Sequence, residues 1–134
     1  STLSSLFDEK YEELTGLLTP EMTAMEQLLF LNRELFHMIE DSISLDLLAR
    51  LYSTQLTTNG EKHLLDHNRI YYKLLRKIIA EGQLSSRSNV NEMVKLYALC
   101  ERALLYDWCL CAGEYALTEY SAKVLPGFLS SFLP

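Results

Sequence analysis

Apolar residues recur every three or four positions along most of the chain, and no window shows sustained period-two alternation of β-branched residues. That pattern predicts an all-α protein, because a helix brings positions three and four apart onto one face. Six helices are predicted. The first, from about Ser4 to Leu18, carries Leu3, Phe7, Tyr11, Leu14 and Leu18 as one stripe. Thr19-Pro20-Glu21 supplies a cap, a pre-set first helical residue and an acid at the positive helix end. The second helix is therefore expected from Pro20 to about Glu40, with Met22, Met25, Leu29, Phe36 and Ile39 facing inward. Ser44 is the expected cap of a third helix ending near Leu56, and residues 57–62 read as a polar surface loop.

A fourth helix is expected from Asp66 to Gly82, burying Tyr71, Tyr72, Leu75, Ile78 and Ile79, with Gly82 stopping it. Asn89 with Glu92 three residues on resembles a capping box and opens a fifth helix reaching about Ala112. Apart from Glu92, Lys95, Glu101, Arg102 and Asp107, nearly every residue from Met93 to Ala112 is apolar or aromatic. A helix apolar on more than one face is buried on more than one side, as when it serves both a core and a subunit interface. After a Gly-centred turn, a sixth helix is expected from about Thr118 to Phe132, bent at Pro126, which cannot donate its backbone bond.

With 134 residues, 49% of them hydrophobic, the chain is expected to form one domain over residues 1–134 with a sizeable core. The net charge of −6 argues against direct phosphate binding by these residues. No apolar run is long enough to span a bilayer. Neither a basic n-region nor an apolar h-region opens the chain. Cys100, Cys109 and Cys111 fall in one helix, the last two about 200° apart around it, so free thiols in a reducing cytoplasm are expected.

Candidate chemistry is sparse. His63 and His67 flank Asp66 at a spacing that can hold a metal ion, but a third well-spaced ligand is missing, and solvated or capping roles are the expectation. His37 and Asp41 are four apart at a helix end, where an imidazole complements the dipole. No phosphate loop or local nucleophile–base motif occurs, so no enzyme, metal or cofactor is expected. The tyrosines at 52, 71, 72, 97 and 106 and Trp108 all fall in predicted helices, where aromatic bodies with polar tips suit a small-molecule pocket. Asp107 is read as a water-exposed acid or one bonded to a neighbouring helix.

The stretch from Ala103 to Tyr120, ALLYDWCLCAGEYALTEY, resembles the C-terminal signature of TetR-family transcriptional regulators. There a helix ends near an Asp-Trp pair, turns at a Gly, and a final helix follows. Leu45–Leu56, Leu65–Gln83 and Glu101–Trp108 resemble that family's mid-domain and later helices in order and spacing. The chain departs from the family at Ser44 and Ala103, where members often have Gly, and at Ala116, where they often have Asp and a helix cap.

The resemblance implies a six-helix effector-binding and dimerisation domain of a bacterial regulator, whose DNA-reading helix-turn-helix lies outside these residues. DNA would be contacted only through that missing domain. It implies a homodimer whose last two helices form a four-helix bundle through Leu96, Cys100, Ala103, Tyr120, Val124, Leu125, Phe128, Leu129 and Phe132. It also implies a small, mostly apolar effector among Met25, Leu29, Tyr52, Tyr72, Leu75, Leu104 and Trp108. The reading of a different class is a helical protein–protein adaptor with no pocket, marked by a long exposed apolar groove.

Overall fold

The computed structural model describes residues 2–57, 64–84 and 89–133, and among them every regular element is helical. The helices are α1 (Leu3–Thr15), α2 (Ala24–Ser42), α3 (Leu45–Thr57), α4 (Ile70–Glu81), α5 (Val90–Leu110) and α6 (Leu117–Ser130). α2 runs centrally, packed on α1, α4 and α6; α5 packs on α3, α4 and α6; α3 also touches α1. No helix among the described residues is long and apolar enough to cross a membrane.

The start of α2 corrects the sequence expectation. Residues 19–22 form a turn, closed by the bond from Met22 N–H to the Thr19 carbonyl, and the helix begins at Ala24. Thr23 and Glu26 form a reciprocal capping box, with Thr23 N–H on Glu26 at 2.8 Å and Glu26 N–H on Thr23 at 3.1 Å. Two satisfied orphan donors outweigh the one convenience of a proline at N1. Of the expected inward stripe, Phe36 and Ile39 are buried as read, but the first half is displaced. Leu28, Leu31, Leu35, Phe36 and Ile39 are buried, whereas Met25 and Leu29 are half-buried and Met22 precedes the helix. α1 ends at Thr15, so Leu18 packs from the following turn.

The caps at Ser44 and Asn89 form, the latter without the return bond from Glu92 that would complete a capping box. Ser44 accepts from Leu47 N–H at 3.1 Å, and Asn89 from Glu92 N–H at 2.8 Å. α4 starts four residues later than expected, after an Asx turn in which Asp66 accepts from Asn68 N–H. Its first turn is capped from another helix: Asp8 of α1 accepts from Tyr71 N–H and from Arg69 Nε, each at 3.1 Å. Past α5, Ala112 and Gly113 take left-handed φ of 53° and 69°, and Gly113 N–H returns to the Trp108 carbonyl at 2.9 Å. α6 continues through Pro126. The expected loop at 57–62 falls, beyond Thr57, outside the described residues.

Gly82 permits a close approach. A Cβ there would overlap the Cβ of Ala24 at the start of α2 and lie 3.0 Å from the Ile78 carbonyl. The Ala24 Cβ is fixed to the backbone and cannot rotate away, so Gly82→Ala must separate the two helix ends. We expect a loss of about 2 kcal/mol in urea denaturation, recovered by adding Ala24→Gly. An undisturbed midpoint for Gly82→Ala would contradict this packing.

Candidate functional site

α5 carries the residues from which both candidate sites are built. Successive helical positions point 100° apart, so Glu101 and Arg102 leave the helix in different directions. Glu101 points into the core and is fully buried, while Arg102 reaches the edge shared with α3 and α4.

No cationic side chain pairs with Glu101 among the described residues. Tyr71 of α4 donates to Oε1 at 2.5 Å and Asn32 of α2 donates to Oε2 at 2.9 Å. Tyr11 of α1 lies 3.2 Å from Oε2 and 2.8 Å from the hydroxyl of Tyr97, which donates to the Leu28 carbonyl at 2.9 Å. Ser121 of α6 donates to Asn32 Oδ1 at 2.6 Å. One polar network thus joins five helices through the centre of the bundle, and α3 alone stands outside it.

Tyr11 and Tyr97 have two hydroxyl protons for three oxygen–oxygen contacts. The Leu28 carbonyl only accepts, so it takes the Tyr97 proton, and the Tyr97 oxygen then takes that of Tyr11. The Tyr11–Glu101 contact, 3.2 Å to Oε2, is served by the same Tyr11 proton or, when Glu101 is protonated, by the carboxyl proton. Burial pushes the Glu101 carboxyl above its usual range, against opposing hydrogen bonds led by those from Tyr71 and Asn32. The same burial, with Glu101 beside them, raises the phenols of Tyr11, Tyr71 and Tyr97. The network is a structural clasp, closed to solvent.

Two adjoining hollows meet at Arg102 and Leu65. The larger, about 700 Å³, lies between α3 and α5 with Leu56, Leu64, Leu99 and Tyr106 as apolar wall. Tyr52 and Gln55 of α3 enter it, and the Tyr52 hydroxyl donates to the Arg102 carbonyl at 3.2 Å. Burial raises the Tyr52 phenol, an effect that nearby Arg102 partly offsets. The smaller hollow, about 460 Å³, includes Tyr72, His67, Glu92 and Lys95. Arg102 donates to the Tyr72 hydroxyl at 3.3 Å across this junction.

Of the seven residues expected to bind an effector, Tyr52 and Tyr72 line these hollows. Leu75 and Leu104 are packed in the core, and Trp108 is held by its Nε1–H on the Tyr115 carbonyl at 2.8 Å. Met25 and Leu29 are half-buried on α2, away from both hollows. Sequence reasoning missed Gln55 and Arg102, because neither carries a local motif.

Of the expected dimer residues, Cys100, Leu125 and Leu129 are closed within the protomer's own core. Ala103 and Tyr120 are exposed, and Leu96, Val124, Phe128 and Phe132 are half-buried. Tyr115 ties this edge of α6 to α5. Its ring packs on Tyr120, with centroids 4.9 Å apart, and its hydroxyl donates to Asp107 at 3.0 Å. The three cysteines are free. His67 packs against the Tyr72 ring, whereas His63 lies outside the described residues. His37 pairs with Asp41 at 3.0 Å on the last turns of α2. No family model, curated protein or solved structure matches the chain.

Proposed function

We propose that this chain is a self-associating, ligand-sensing helical domain of the kind its TetR-like segments imply, serving a DNA-reading domain outside these residues. The observation that carries the reading is the large hollow between α3 and α5. Its volume suits a small molecule, its wall is mostly apolar, and a few polar side chains converge on it. α3 lies outside the buried clasp and packs on both α5 and α1. A ligand wedged against α3 can therefore favour one placement of α3, and through it of α1, while the other helices stay pinned. The shift is limited by the ligand's differential affinity for the two placements.

Members of a panel of aliphatic and aromatic small molecules should raise the melting temperature, increasingly so as their concentration rises above Kd. Leu99→Glu should abolish the effect. If no compound shifts the wild-type melt, the sensor reading fails.

Self-association is assigned to the outer face of α5 and α6, where Leu96, Tyr120, Val124 and Phe128 remain accessible, whereas Ala103 lines the hollow. Tyr120→Glu with Val124→Glu places charge at one exposed and one half-buried position of α6, away from the hollow. Sedimentation should change from dimer to monomer. A variant dimer as tight as the wild type would remove this face from the assignment.

One observation favours the adaptor reading as the second choice. The apolar strip runs past the hollow from Leu56, Leu99 and Tyr106 to Leu110, which is 68% exposed. A strip of that kind suits a partner's amphipathic helix.

A further inference from the structure

We propose that the hollow between α3 and α5 binds the carboxylate of an otherwise apolar molecule, with Gln55 and Arg102 as the groups that hold it. This rests on the ligand-sensing reading and specifies the ligand's chemistry. Gln55 leaves α3 into the hollow and is only 8% exposed, yet its Nε2 has no hydrogen-bond partner among the described residues. A buried amide donor left unmade destabilises the empty protein, and an acceptor oxygen on a ligand would satisfy it.

Arg102 borders the same space. Arg33, Arg50 and Arg69 each lie within 3.5 Å of a carboxylate, and Arg76 donates to the His67 carbonyl at 2.7 Å. Arg102 reaches only the Tyr72 hydroxyl, and no carboxylate among the described residues pairs with it. This holds although acids outnumber bases, 18 to 12, in the chain. The described lining of the larger hollow contains no Asp or Glu. A cationic ligand would meet Arg102 with like charge, and a neutral one would leave it unpaired. A planar carboxylate matches the guanidinium fork while its second lone pairs remain open to the Gln55 amide. Leu56, Leu64, Leu99 and Tyr106 would cover the apolar body.

The test uses the whole chain with decanoate, decan-1-ol and decylammonium, below their aggregation limits, by isothermal titration. Decanoate should bind about tenfold or more tightly than the alcohol, and the ammonium most weakly. Arg102→Gln should bring decanoate to within about twofold of the alcohol, while Arg102→Lys, a point charge without the fork, keeps only part of the preference. Gln55→Met should raise the melting temperature of the free protein, because the unmade donor is gone, and weaken decanoate selectively.

The proposal is overturned if decanol matches decanoate in the wild type, or if Arg102→Gln keeps the preference. Equal binding of both probes, lost in Leu99→Glu, would overturn the carboxylate assignment and leave the apolar sensor standing. No binding of any probe at roughly millimolar concentration would overturn both.

Discussion

Glu101→Ala is expected to lower the unfolding free energy by about 4 kcal/mol, a large part of what a domain of this size possesses. The loss has two sources. Tyr71 and Asn32 lose the acceptor of their donors at 2.5 and 2.9 Å, and both donors stay buried. The deleted carboxyl also leaves a void that five helices enclose. Glu101→Gln should behave very differently. The Gln amide can accept from Tyr71 and donate to Tyr11. Asn32 can turn its amide over, so that its oxygen faces the new donor and its nitrogen donates to Ser121. Every contact keeps a proton and no charge is buried, so the Gln variant should be at least as stable as the wild type at neutral pH.

The pH dependence follows in sign. The folded-state carboxyl of Glu101 is raised above the ordinary 4.5 by burial. The native state therefore holds a proton that the unfolded chain has released. The contribution of Glu101 is complete below 4.5 and is lost as pH rises through the folded value. Urea denaturation across pH should show the gap between Glu101→Gln and wild type widening above 4.5, by at most about 1.4 kcal/mol per pH unit. A constant gap would mean that Glu101 is ionised throughout, and an alanine variant within about 1 kcal/mol of wild type would refute the clasp.

How much of this was legible in the sequence differs by element, for physical reasons. Helix existence follows from apolar spacing, and the caps at Ser44 and Asn89 follow from side chains three residues from the N–H they serve. The start of α2 was misplaced because two local signals compete within four residues. Thr23 with Glu26 is itself a capping-box pattern in the sequence, and weighing its two donors against Pro20 would have found it.

Glu101 was visible as an acid in an apolar helix, and its wheel position, on the face of Tyr97, Leu105 and Trp108, marks it as inward. Its partners were not visible. Tyr71, Asn32 and Tyr11 lie 30, 69 and 90 residues away, and only packing brings them together. Gln55 and Arg102 meet the same limit. Each is an ordinary polar residue of a helix until α3 and α5 set them on one hollow. Of the expected effector residues, Met25 and Leu29 on α2 stand away from both hollows. Leu104 and Leu75 turn into the core that the stripe fills.

Glu40→Ala should cost about 2 kcal/mol and loosen α6, although Glu40 belongs to α2. Ala116 occupies the cap position of α6 and offers no side-chain acceptor. The carboxylate of Glu40 supplies it from across the bundle, accepting from Leu117 N–H and Thr118 N–H at 2.9 Å and from the Thr118 hydroxyl at 2.5 Å. Three donors, two of them orphan amides at a positive helix end, are satisfied at once. Burial pushes this carboxyl upward, but the bonds from Thr118 and Leu117 bring it below its ordinary 4.5. The sign is thus opposite to that of Glu101. The contribution is present above 4.5 and is lost as pH falls through the folded value.

Ala116→Asp in the Glu40→Ala background restores a local acceptor and should recover about half of the loss. Because α6 carries Tyr120, Val124 and Phe128, the single variant should also weaken self-association in sedimentation, and the double variant should regain it. If Glu40→Ala leaves both the denaturation midpoint and the association constant unchanged, α6 is held by its apolar packing alone and the cross-bundle cap is incidental.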